Sequence, residues 1–232
     1  MKIPQYSKLF CAVLATMTPA LLASSFGQTN VAYSDAERMN KQGSGDWAYD
    51  GGSDSAFNVG DSSTAGRTFE TAVLINISSF DAEIAAASSI SFNIAYSDVL
   101  GAGQDVTAYV FGTDATALSG TNSIGPISFH NSGVGGSSAG TILAGNFSAP
   151  GVATYDVTTI VQGLTAFDSV GILLTANATQ SGSADDIVFY RENTLGSQLN
   201  GGAYLTIVPE PGTFALLAGL TGLACVMMRR RS

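Results

Sequence analysis

The stretch "TFETAVLINI", Thr68 to Ile77, sets Phe69, Thr71, Val73, Ile75 and Ile77 on one side of an extended chain. Side chains along a strand point to opposite faces in turn, so a period of two specifies a strand with one face for a core. The rhythm returns in "SISFNIAY", with Ile90, Phe92, Ile94 and Tyr96 aligned. In "DVTAYVFG", Val106, Ala108 and Val110 share one side and Tyr109 and Phe111 the other. "TYDV", "VGILLTA", "DIVFYR" and "AYLTIV" follow, rich in β-branched and aromatic residues and separated by Gly, Ser, Asn and Asp. Helix signals are sparse: a turn or two over Asp81 to Ser88, and another over Thr158 to Phe167 with Ile160, Val161 and Leu164 on one side. Gly112 to Gly151 is loop-like, with edge strands expected at "GPISFHN" and "GTILAGNFS". Many short strands without βαβ alternation predict an all-β fold, an antiparallel β-sandwich of jelly-roll type.

The two ends of the chain obey different rules. Residues 1–27 have the form of a signal peptide: Lys2 and Lys8 precede an apolar run from Leu9 to Ala23, and small residues follow. At the other end, Thr213 to Met228 carries no charge and stops at Arg229, Arg230 and Arg231. At about 1.5 Å per residue this run is slightly short for a ~30 Å hydrocarbon core, but bilayer thinning and snorkelling arginines close the gap. The arginines resist translocation and act as a membrane stop on the cytoplasmic side. This predicts residues 28–208 as the exported sandwich domain and 209–232 as a sorting and anchor segment with a transmembrane helix.

Composition narrows the partners. The chain has a formal net charge of −9, and Arg38, Lys41, Arg67 and Arg191 are the only basic residues between 28 and 208. Phosphate contacts need clustered Lys and Arg, which excludes a nucleic-acid partner. Both cysteines, Cys11 and Cys225, lie in the terminal segments. The body therefore has no disulfide, no cysteine nucleophile and no thiolate metal site.

Three parts stand in order at the C-terminus: Pro209-Glu210-Pro211, the apolar run, and the arginine cluster. This pattern resembles the sorting signal of PEP-CTERM proteins. The resemblance implies a Gram-negative bacterium that makes exopolysaccharide, and processing near the Pro-Glu-Pro by an exosortase-like membrane enzyme after signal peptidase has acted at the N-terminus. The body resembles, more loosely, extracellular jelly-roll modules of the DNRLRE type. The matching segments are "FNVG", "AVLINISSF", "SSISFNIAY", "YDVTTIVQGL", "VGILLTA" and "FYRE", closing with "AYLTIV". Trp47 lies earlier than in those modules, and the middle of the body is Gly- and Ser-rich instead.

"GSSAG" satisfies G-x-S-x-G around Ser138, but the only histidine, His130, precedes it, whereas a nucleophile elbow needs one later in the chain. Asp185, Asp186 and Glu192 are carboxylates of the kind glycoside hydrolysis uses, yet nothing pairs two of them. The acidic stretch "GDWAYDGGSDSAFNVGD" places Asp46, Asp50 and Asp54 in a carbonyl-rich segment that suits a structural calcium; a solvated acidic loop is the competing reading. Trp47 and Tyr49 beside it are candidate glycan contacts, or packing residues under the sandwich edge. No cofactor is expected beyond that possible calcium. The sequence thus predicts a non-catalytic surface or extracellular-matrix protein associated with exopolysaccharide and biofilm. The alternatives are a carbohydrate-binding module with a defined glycan and a polysaccharide-active enzyme.

Overall fold

The structure, a computed structural model, describes residues 28–43, 48–49, 56–64, 66–116, 118, 136–147, 150–176, 183–190, 202–210 and 219. Among these the strands are β1 (Thr29–Ala32), β2 (Asp35–Gln42), β3 (Ala48–Tyr49), β4 (Ala56–Asp61), β5 (Arg67–Asn76), β6 (Ala87–Val99), β7 (Val106–Thr113), β8 (Ser137–Ile142), β9 (Gly151–Asp156), β10 (Ser169–Ala176), β11 (Asp185–Tyr190) and β12 (Ala203–Pro209). Two helices of a single turn or so, α1 (Asp81–Ala85) and α2 (Thr158–Gln162), precede β6 and β10.

The strands pair in the order β1-β12-β6-β11-β4-β5-β10-β7-β8, with β2 on β5, β3 on β2 and β9 on β6. Every pairing is antiparallel. The ladder folds over on itself. Val73, Ile75, Ile172 and Leu174 from β5 and β10 share one buried cluster with Phe92, Ile94, Tyr155, Phe189 and Leu205 from β6, β9, β11 and β12. That shared core makes the fold a β-sandwich. The two halves join where β4 pairs with β5 through Gly60↔Phe69 and Asp61↔Thr68. Gly60 has φ +132°, and a Cβ there would lie 2.6 Å from the Asp185 carbonyl oxygen, so only glycine fits this join.

The alternation read from the sequence is present, but β5 is not half-exposed. Ala72 and Leu74, on its other face, are fully buried under Met39, Leu118 and Leu173. Strand β2 covers one edge of β5 along Asp35↔Leu74 to Gln42↔Arg67, and β10 covers the other from Thr71 to Asn76. Nothing in "DAERMNKQ" advertises a strand. It forms one because Ala36 and Met39 are buried while the Arg38 guanidinium, with that of Arg67, lies near the Phe69 ring, at 4.8 and 4.9 Å from its centroid.

Both expected helices form and both are shorter than expected. The first ends at Ala85 because β6 begins at Ala87; the second ends at Gln162, where Gly163 opens a turn. Ile84 and Val161 are their buried residues, and Gln162 Nε2 ties them together by donating to the carbonyls of Ile84 (3.3 Å) and Ala87 (2.9 Å). The strand expected in "GTILAGNFS" starts earlier, at Ser137, and gives way to a 3-10 turn at Ala144–Asn146. The expected strand at "GPISFHN" lies outside the described residues. So does the signal peptide, residues 1–27, and so does the apolar tail apart from Gly219. Among the described residues no helix is long and apolar enough to cross a membrane.

Candidate functional site

Strand β12 is the element that carries the sorting sequence. Its apolar residues Ala203, Leu205 and Ile207 are buried at period two, and it lies between β1 and β6. The strand does not stop short of the motif. Val208 pairs with Ser89, and after a register shift Pro209 stands opposite Ala87. Proline has no N–H to give a ladder, so it is tolerated at a strand end or a bulge, and here it occupies both. The Glu210 N–H donates to the Ala86 carbonyl at 3.1 Å. Ser88 Oγ donates to the carbonyls of Val208 (3.1 Å) and Pro209 (3.3 Å). Pro209 and Glu210 thus belong to the sandwich edge. Glu210 is exposed, as is Val208 at 37 %. Pro211 and the stop residues Arg229, Arg230 and Arg231 lie outside the described residues.

Most of the acidic stretch also lies outside them: Asp46, Trp47, Asp50 and Asp54 are not described. The backbone of Tyr49 is placed, in β3 opposite Met39. Among the described residues no group of three or more His, Cys, Asp or Glu is arranged to hold a metal ion.

Of the candidate carboxylates, Asp185 and Asp186 are described, and both take hydrogen bonds within the fold. Asp185 pairs across the ladder with Asp61, and its Oδ1 accepts from the Ala102 N–H at 2.8 Å, closing the turn after β6. Asp186 is 2 % exposed. Its Oδ2 accepts from Asn58 Nδ2 at 2.5 Å, and Asn58 Oδ1 accepts from Arg38 at 3.4 Å. Asp186 Oδ1 is buried and has no hydrogen-bond donor among the described residues. Burial raises its pKa above the usual carboxylate range, and the neighbouring Asp185 adds to this, against the Asn58 hydrogen bond and the Arg38 charge, which lower it. Burial likewise pushes the Tyr155 hydroxyl up while it donates to the Val106 carbonyl at 3.1 Å. Asp156 goes the other way: the Thr158 hydroxyl, then the Thr158 N–H, donate to Oδ1 and hold it below the usual range at the start of α2. The Arg38–Asn58–Asp186 chain was not foreseen, because its members are far apart in sequence and sit on three different strands. Ser138 lies within β8, paired with Tyr109 at a bulge, and not at a strand-to-helix turn. His130 and Glu192 are outside the described residues.

Comparison with known proteins locates one match. The family model described as the PEP-CTERM protein-sorting motif covers residues 208–231. No curated protein matches the chain, so the likeness of the body to DNRLRE-type modules rests on the segments quoted above. The match begins at Val208, the exposed penultimate residue of β12, and takes in the whole tripartite tail. The motif marks proteins exported to the cell surface of Gram-negative bacteria and handled by exosortase. Over residues 208–231, then, the chain carries a segment that matches the PEP-CTERM protein-sorting motif.

Proposed function

We propose that this is a non-catalytic surface or extracellular-matrix protein whose β-sandwich, of jelly-roll type, serves an exopolysaccharide- and biofilm-associated matrix. The N-terminal signal directs export and is removed by signal peptidase. The tail then holds the precursor in the inner membrane with its arginines in the cytoplasm, until exosortase releases the domain toward the surface. The observation that carries this reading is the sorting motif joined directly to the last strand of a folded domain. The acidic, cysteine-free body and the structural roles of Asp185 and Asp186 agree with it.

The test is a chain with Pro209 and Pro211 both replaced by Ala, expressed in the native host and followed by fractionation. It should accumulate in the membrane fraction at full length, while the natural chain reaches the surface or the medium. Equal amounts of both chains outside the cell would contradict the sorting role of the motif.

A further inference from the structure

The first peptide bond of the sorting motif is already engaged by the fold. The carbonyl of Pro209 accepts from Ser88 Oγ at 3.3 Å, and the N–H of Glu210 donates to Ala86 at 3.1 Å. Both polar atoms of the Pro209–Glu210 bond therefore have partners at the start of β6, although the exposed Ser88 hydroxyl is shared with the Val208 carbonyl at 3.1 Å. The partners are themselves fixed. Ala87, opposite Pro209, is buried, and its carbonyl accepts from Gln162 Nε2. Two residues upstream, Ile207 is buried and paired on one side with Ile90 and on the other with Thr29.

An enzyme that cuts an extended chain binds these same backbone groups, as a strand added to its own cleft. Cutting breaks the C–N bond. The acyl carbon passes to water or another nucleophile and a proton goes to the departing nitrogen, so the carbonyl must be open to attack. A bond whose oxygen and N–H are both hydrogen-bonded to β6 and the turn before it can be taken up as an added strand only when those hydrogen bonds open locally.

We propose that the folded sandwich withholds the Pro209–Glu210 bond from the processing enzyme. Cleavage then falls on the carboxyl side of Glu210, and the released protein keeps Pro209 and Glu210 as the end of its last strand. The cleavage half of this rests on the processing proposed above; the withheld bond does not.

Two measurements separate the halves. Hydrogen exchange on the full-length chain in detergent reads the Glu210 amide directly. It should exchange at least about tenfold more slowly than an unstructured amide, and Ser88→Ala should speed it about fivefold by loosening the strand end. A free-chain rate overturns the proposal whatever happens in the cell. The C-terminal residue of protein recovered from the cell surface reads the cut. Glu210 or a later residue supports the proposal, and Val208 or Pro209 overturns it. Recovery only of chains with intact tails contradicts processing and the cleavage half together, while the amide rate still decides whether the bond is withheld.

Discussion

Asp186 and Asp185 are neighbours of identical chemistry with opposite fates. Strand parity sends them to opposite faces: Asp185 takes a backbone N–H at the rim, and Asp186 is buried with one oxygen on Asn58 and the other without a donor among the described residues. A carboxyl with a raised folded pKa binds its proton more tightly in the native state than in the unfolded one. Its contribution to stability is then fully present below the unfolded pKa and is lost as pH rises through the folded value. Asp186→Asn keeps the shape and removes the charge. It should melt at a higher temperature than the natural chain at pH 7, and the difference should shrink at pH 4. Thermal melts at the two pH values check this; a lower melting temperature for the variant at pH 7 would show that the charge is fully compensated. None of this was legible in "SADDIVFY", because burial of one Asp depends on β4 and β2, which lie more than a hundred residues earlier.

At the level of elements, alternation identified the strands but not their number of covered faces. The β5 pattern places Val73 and Ile75 inward, and that half was readable. Its other half, Ala72 and Leu74, is buried because β2 supplies Met39 and β10 supplies Leu173, and β2 hides its role behind Asp, Glu, Arg and Lys. The second cluster is small, yet Leu74 in it is fully buried. Leu74→Ala should cost about 2–5 kcal/mol, as large-to-small changes in packed cores do. Leu143→Ala, at a side chain 56 % exposed, should stay within about 0.5 kcal/mol. Denaturant unfolding of the two variants measures the contrast, and equal small losses would mean that the outer face of β5 is not packed. In the motif strand, proline is excluded only from positions that must donate, and the end of β12 is not one of them.

Across the whole molecule, the pairing of Thr29 with Ile207 brings the start of β1 and the end of β12 to one end of the sandwich. The end of β12 lies beside Ala86 and Ser88, and the start of β1 lies across Ile207 from Ile90. The antiparallel β class and the tail were legible from the sequence, because alternation and a charge-bounded apolar run are local patterns. The close seating of domain on motif was not, since it depends on β6 contacts made more than a hundred residues away. If the tail is a sorting signal removed on the way out, the intact mass of the protein shed from or displayed on the native cell should correspond to a species without Arg229, Arg230 and Arg231 and without the apolar run before them. A surface or extracellular species whose mass includes Arg231 would contradict it.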